Sequence, residues 1–440
     1  MHPSTAGGFA GRPQRAGNPH VARLLWGESG ATRIETLENG LELCVLSDCR
    51  LPIVSTVLAY RVGARDETAA QAGAAHFLEH MMFKGSENFA AGEIDRVTES
   101  RGGSNNAFTS HDVTAYYFSF AQQHWATALE IERDRMGGLR LDPGEVDAER
   151  QVILEELAMY ESDPWDVLHQ EVSRLLYPGH PYGAPVLGTR ESLRDLGSSE
   201  LAHFHRRHYL AENAVLVVAG DVTFEAVRAE ALRLPSGAAR RQRLPVADVE
   251  ATSALQRYER AFGEVSRLLL SFPVAGATDV EAHATARLLA VCLAGGRSSR
   301  LNQRLVEEEK LALWVAADVA EMTGPASLSL ALEVAPGVEE MRVEERLFEE
   351  LDRLCAEGVS GEELQRAQQM SFADWTFSHE RLQRRALTAA LALALHDDRY
   401  PEASVRAALQ TTPSEASSMA RSLFDRDRCV VAWSTAESGT

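Results

Sequence analysis

The sequence predicts an α+β protein built of two similar α/β-sandwich halves, each an antiparallel-rich sheet covered by helices. Three observations carry this reading. Short runs with the two-residue apolar alternation of strands are interleaved with longer stretches whose apolar residues recur at the helical period. A chain of 440 residues exceeds one ordinary core. The order of elements in the first half also returns in the second, as an internal duplication would produce.

The first 31 residues carry arginines and no acidic side chain before Glu28, and they lack an apolar stretch of signal-peptide length. They read as a disordered cytoplasmic tail (residues 1–31), with an organellar presequence as the second reading. "TRIETLENGLELCVLSD" has a hairpin signal at Asn39-Gly40 between alternating apolar runs. "LPIVSTVLAYRV" is the next strand, residues 72–84 and 92–101 are helices, and "VTAYYFSF" (113–120) is a strand. "HWATALEIERDRMGGL" has helical periodicity and stops at Gly137-Gly138. The next helix starts at Asp142, a good N-cap, with Pro143 suited to the first helical position and Glu145 completing a capping box. "AVLVVAGD" (214–221) closes the first half as a buried strand.

"LFEELDRLCAEGVSGEELQRAQQM" repeats the pattern of "LEIERDRMGGLRLDPGEVDAERQV", turn included. Gly144 precedes Asn213 by 69 positions, and Gly361 precedes Arg428 by 67. The expected domains are residues 32–235 and 251–440, of similar fold. Between them residues 236–250 form a linker rich in Pro, Gly and Arg.

Composition narrows the function. Hydrophobic residues make up 45% and charged residues 25%, as in soluble globular proteins, and no run of eighteen apolar residues exists to span a membrane. A net charge of −20 repels nucleic acid and suits basic substrates. The five cysteines are odd in number and form no C-x-x-C pair, so neither a thiolate metal site nor a disulfide framework is indicated. The expected compartment is reducing and cytoplasmic.

The chemistry concentrates in "GAAHFLEHMMFKG". On a helix His76 and His80 lie one turn apart on one face, as two imidazoles must to grip one ion, and Glu79 is close enough to reach a metal-bound water. A third ligand can come from the helix beginning at 143. Glu149 and Glu156 share a face there, Glu155 points about 100° from Glu156, and spacing leaves Glu155 and Glu156 both open. Elsewhere, "HFHRRHY" (203–209) has arginines that oppose a cation and reads as a polar helix face. His180 reads as a turn residue and "VEEEK" (306–310) as a solvated helix face.

"HFLEHMMFKGSENF", "GGSNNAFTSHDVTAYYF", "LDPGEVDAERQVILEEL" and "YPGHPYGAPVLG" together resemble the inverzincin peptidases. That family includes pitrilysin, insulin-degrading enzyme and the mitochondrial processing peptidase β subunit. The resemblance is strong over residues 33–235 and holds by pattern beyond. It implies a clam-like zinc-dependent endopeptidase with one Zn2+ per chain. His76, His80 and Glu156 would be the ligands, Glu79 the general base, and Glu149 the acid that orients the site. Asn105, Asn106 and Ala107 would lie on an exposed edge strand that takes an extended peptide substrate. Two imidazoles and a carboxylate also accept cobalt or manganese.

One departure concerns partners. "AGGRSSRLNQRLVEEEKLALWV" (294–315) resembles the family's glycine-serine segment, which continues with an Arg and, seven residues on, a Tyr. Val306 and Leu313 stand there instead, and neither side chain can donate a hydrogen bond. The resemblance therefore implies a heterodimer with a related subunit that lacks the metal and carries the Arg/Tyr pair, a homodimer being the runner-up. The rival function is a non-catalytic scaffold subunit. Such subunits have lost ligands, whereas every ligand position here is filled.

Overall fold

A computed structural model describes residues 25–26, 31–237 and 254–437. The expected tail (1–31) and linker (236–250) fall almost wholly outside the described residues.

The first half begins with β1 (Thr32–Thr36) and β2 (Glu42–Ser47), a hairpin whose turn holds Gly40 at φ +83°. Then come β3 (Ile53–Tyr60), α1 (Ala74–Met81), α2 (Glu93–Ser100), β4 (Ser104–Thr109), β5 (Thr114–Ala121) and α3 (Ala126–Gly138). The long α4 (Pro143–Ser162), α5 (Pro164–Leu176), α6 (Arg190–Asp195) and α7 (Ser198–His208) lead to β6 (Ala214–Gly220) and α8 (Phe224–Ala231). The second half runs β7 (Gln256–Ala261), β8 (Arg267–Val274), α9 (Val280–Ala294), β9 (Ala312–Val319), β10 (Ala326–Val334), α10 (Glu340–Glu357) and α11 (Gly361–Ser378). It ends with α12 (Leu382–Leu395), α13 (Tyr400–Gln410), α14 (Pro413–Leu423) and β11 (Val430–Thr435). Among the described residues, no helix is long and apolar enough to cross a membrane.

The strand orders are β1-β2-β6-β3-β5-β4 and β7-β11-β8-β10-β9. With β1 set aside they correspond strand for strand. The late strand of each half, β6 or β11, pairs parallel with β2 or β7, and every other neighbour is antiparallel. The duplication legible in the sequence is thus a duplication of topology.

Both faces of β3 and β6 are buried almost throughout, as the apolar run of β6 foreshadows. Along β2, β3 and β6, Leu43, Val45, Leu58, Leu216 and Val218 face the core beneath the first half's own helices. The alternate residues Cys44, Leu46, Val57, Val215 and Val217 pack instead on Ala386, Ala389, Ala390 and Leu393 of α12, a helix of the second half. The exchange is reciprocal: Leu168, Val172 and Leu176 of α5 cover Leu269, Val430 and Ala432 of the second sheet. The alanine-rich face of α12 permits close approach to the strands. Polar bonds fix it there: Arg385 donates to Asp48 at 2.8 Å and Arg61 to the Leu393 carbonyl at 3.0 Å.

A buried polar clasp completes the junction. Asp112, in the β4–β5 turn, accepts from Tyr182 Oη (2.9 Å), Thr323 N (3.1 Å) and Thr323 Oγ1 (2.8 Å), and pairs with Arg65 at 2.9 Å. Thr323 lies between β9 and β10, so one carboxylate ties the two halves.

Three sequence expectations differ in detail. His205 is buried and stacked on Tyr209 (ring centroids 5.2 Å apart), while His203, Arg206 and Arg207 of the same helix are exposed. A polar face is thus only part of that helix, because one edge must pack. Residues Asn302–Glu308 form a π-helical segment, and Glu309 is half-buried between Arg304 and Arg346 rather than freely solvated. The Asp142 side chain accepts from Gly144 N, at 2.9 Å, and among the described residues Glu145 does not complete the capping box expected of it. His180 is the turn residue expected, its Nδ1 accepting from Tyr182 N.

Candidate metal centre

The site sits where α1, α4 and β4 meet. Helix α1 is anchored by Phe77, Leu78 and Met81, each fully buried, which directs His76, Glu79 and His80 toward α4 and β4. Its N-terminus is set by backbone contact. Gly73 has φ +91° and Gly188 has φ +77°, and a Cβ on either would strike the other's loop, at Leu187 O (2.6 Å) or Ala72 O (2.5 Å). The glycine of "PVLG" is therefore there to let its loop lie against the start of α1. The Glu67 carboxylate accepts from Gly73 N and Ala75 N, both at 2.8 Å, satisfying two of the helix's free donors.

On α4, Val146, Glu149, Ile153 and Leu157 form the buried stripe. At about 100° per residue, Glu156 falls some 20° outside that stripe beside Glu149, whereas Glu155 lies about 120° away. Accordingly Glu156 is half-buried and faces the histidines, and Glu155 is exposed. The structure thus separates two carboxylates that spacing left open.

His80 Nε2 lies 3.4 Å and His76 Nε2 3.8 Å from Glu156 Oε2, and one donor atom from each residue falls within 4.8 Å of the others. Tetrahedral zinc with bonds of about 2.0–2.1 Å sets its ligand atoms about 3.3 Å apart; the two contacts to Glu156 are near that spacing, and the widest separation in the group must close by up to about 1.5 Å for the three to share a divalent ion. Glu149 Oε1 is 2.9 Å from His80 Nδ1, and Lys84 Nζ is 2.6 Å from Glu149 Oε2. A proton on Nδ1 shared with Glu149 leaves the Nε2 lone pair facing Glu156. His76 Nδ1 is buried and finds no partner among the described residues, so His80 is the better supported imidazole.

The charges follow from these contacts. Burial, reinforced by His80, holds His76 down at about 4, against the pull of Glu156, so it is a neutral imidazole at neutral pH. Burial also opposes charge on His80, but hydrogen bonds to Glu156 and Glu149 more than offset it and raise its pKa. The His80 contact holds Glu156 below the ordinary carboxylate range. Glu79 is not one of the three clustered donors but lies close enough to feel the charges of His80 and Glu156. Burial raises its pKa, moderated by the Thr109 hydroxyl, which donates to Oε2 at 2.5 Å.

Asn105, Asn106 and Ala107 lie on β4, which pairs only with β5 and is an edge of its sheet. Asn105 Nδ2 donates to Asp95 on α2 at 3.1 Å, and Asn106 Oδ1 accepts from Ala107 N at 2.8 Å. Sequence reasoning missed Thr109, Glu67 and Lys84. Only Lys84, one helical turn beyond His80, carried a signal that spacing could have caught.

A His-His-Glu group able to hold a metal ion, formed between two helices beside the edge strand of a duplicated two-sheet fold, narrows the class, and family comparison supplies the rest. The model described as insulinase (peptidase family M16) matches residues 46–190, and the peptidase M16 inactive domain matches residues 195–371. An uncharacterised zinc protease of Streptomyces coelicolor is 32% identical over 363 residues, covering 78% of this chain and 77% of that protein. The chain belongs to peptidase family M16. In fold it is similar to a protease from Helicobacter pylori (TM-score 0.84, 22% identity, 92% of this chain and 99% of that one). It is similar also to pitrilysin (TM-score 0.77, 18% identity, 94% of this chain and 46% of that one).

Proposed function

We propose that this chain is a zinc-dependent endopeptidase acting on peptides or unstructured polypeptide segments. The observation that carries the reading is the convergence of His76, His80 and Glu156 on one point with a raised-pKa carboxylate, Glu79, beside them. Zinc held there supplies Lewis acidity, polarising a scissile carbonyl and acidifying water. Glu79 takes the proton from the attacking water and returns it to the leaving amine, a shuttle favoured by a carboxyl whose pKa has moved toward neutrality. Thr109 holds that carboxylate in place. Glu149 fixes the His80 ring, and the open edge of β4 at Asn105, Asn106 and Ala107 offers main-chain bonds to an extended substrate.

Donors for the developing oxyanion come from a related subunit with an Arg/Tyr pair, because the half-buried Val306 and the exposed Leu313 offer none. On this reading residues 32–235 are the metal-bearing domain and 251–440 its counterpart without ligands. The description of the second matching model as an inactive domain keeps a scaffold role as the alternative. One experiment decides: cleavage of an unstructured fluorogenic peptide by this chain, alone and with a relative bearing the Arg/Tyr pair, with and without chelator. Chelator-sensitive cleavage that rises on mixing supports the proposal. Full activity of the chain alone as a homodimer overturns the heterodimer. Zinc-replete protein inert under every pairing points to the scaffold.

A further inference from the structure

We propose that Lys84 is a positioning residue of the metal centre, pinning the Glu149 carboxylate that orients His80. The inference rests on the zinc reading above and concerns a residue to which that reading gives no role. The two oxygens of Glu149 are divided: Oε1 lies 2.9 Å from His80 Nδ1 and Oε2 2.6 Å from Lys84 Nζ. The Glu149 side chain is 6% exposed, and among the described residues these are the two partners its carboxylate meets. A buried anion held at both oxygens has one orientation, whereas one held at a single oxygen can rotate about its last torsion or draw in water.

Lys84 reaches Glu149 from the turn that follows α1, where its own backbone N–H donates to Met81 O at 3.0 Å. Its stem therefore starts from a fixed point, and the ion pair spans from the end of α1 to the middle of α4. Those are the two helices that must keep their spacing for His76 and His80 to meet Glu156. Because His76 Nδ1 has no partner among the described residues, the Lys84–Glu149–His80 relay is the centre's main means of orienting a ring.

Groups that orient a metal-bound histidine typically change metal affinity 10- to 100-fold when removed. A surface ion pair with no such role leaves it unchanged. The test is zinc affinity, by competition with a chromophoric chelator, on the full chain and its K84M, K84R, E149Q and K84M/E149Q variants, with melting of each apo form alongside. The expected result is an affinity loss of about tenfold in K84M, apo melting close to wild type, substantial rescue in K84R, and a double variant no weaker than E149Q. Zinc affinity of K84M within about twofold of wild type, or additive losses in the double variant, overturns the relay. So does an affinity loss that merely tracks a fall in apo melting and is not rescued by K84R. A wild-type chain that takes up no zinc defeats the metal reading itself and this inference with it. Tight wild-type binding with K84M unchanged defeats this inference alone.

Discussion

Asp112→Ala should weaken the whole molecule by about 3–5 kcal/mol, the usual cost of breaking a buried ion pair from one side. The carboxylate is 3% exposed and serves four donors drawn from both halves: Arg65, Tyr182 and the Thr323 hydroxyl and N–H. Truncation takes from the Arg65 guanidinium, whose side chain is 9% exposed, its carboxylate contact at 2.9 Å, and removes the acceptor of the Thr323 amide. Arg65 retains the Thr323 hydroxyl at 3.1 Å and Asp66 at 3.9 Å, and Tyr182 Oη retains Gly324 N at 3.2 Å, which places the cost toward the lower end. Urea unfolding followed by tryptophan fluorescence measures it, and Arg65→Met/Asp112→Ala closes the cycle. The double variant should lose less than the two singles combined, because each single variant already removes the Arg65–Asp112 pair. A single-variant loss below about 1 kcal/mol, or strict additivity, would refute the view that this clasp is a coupled buried network.

Glu79→Gln should retain zinc and lose roughly 10²–10⁴-fold in turnover, whereas Glu156→Gln should lose the metal; inductively coupled plasma analysis beside peptide cleavage separates the two. Glu363 caps α11 and pairs with Arg300 at 2.6 and 2.9 Å. Burial works against its charge, but the Arg300 and Ser360 contacts win and bring its pKa to about 2 from 4.5. A depressed carboxyl stabilises the fold above its unfolded pKa, so its contribution, on the order of 2–3 kcal/mol, is lost as pH falls from 4.5 toward 2. Glu363→Gln should flatten that part of the acid-unfolding curve. Ala389→Leu, at a fully buried point of α12, should cost about 1–3 kcal/mol by overpacking. Hydrogen exchange should show the loosening in the first sheet, although the residue belongs to the second half.

Much of the site was legible because it is local. The four-residue spacing of His76 and His80 and the cap at Asp142 needed nothing beyond one helix each. The Glu155/Glu156 ambiguity was soluble in principle: Val146, Ile153 and Leu157 fix the buried phase of α4, and Glu156 borders it. Thr109 could not be found, since its bond to Glu79 joins residues 30 positions apart through tertiary packing alone. The helix exchange was equally hidden. The apolar residues of α5 and α12 say that each helix must be covered, and only the assembled sheets say by what. The near-continuous apolar run of β6 was the clue that both its faces are buried.

The reciprocal loan of α5 and α12 has a consequence for ancestry and engineering. Severed at the junction, either piece would carry a bare sheet face together with an unhoused amphipathic rod of the complementary shape. Two copies of one piece could satisfy each other by trading rods across a twofold axis, the arrangement called domain swapping. Tandem fusion of such a swapped pair would leave behind the arrangement this chain has, each half covering the other's sheet. In such a fusion the second copy's rod would stay indispensable to the first whatever became of its own side chains.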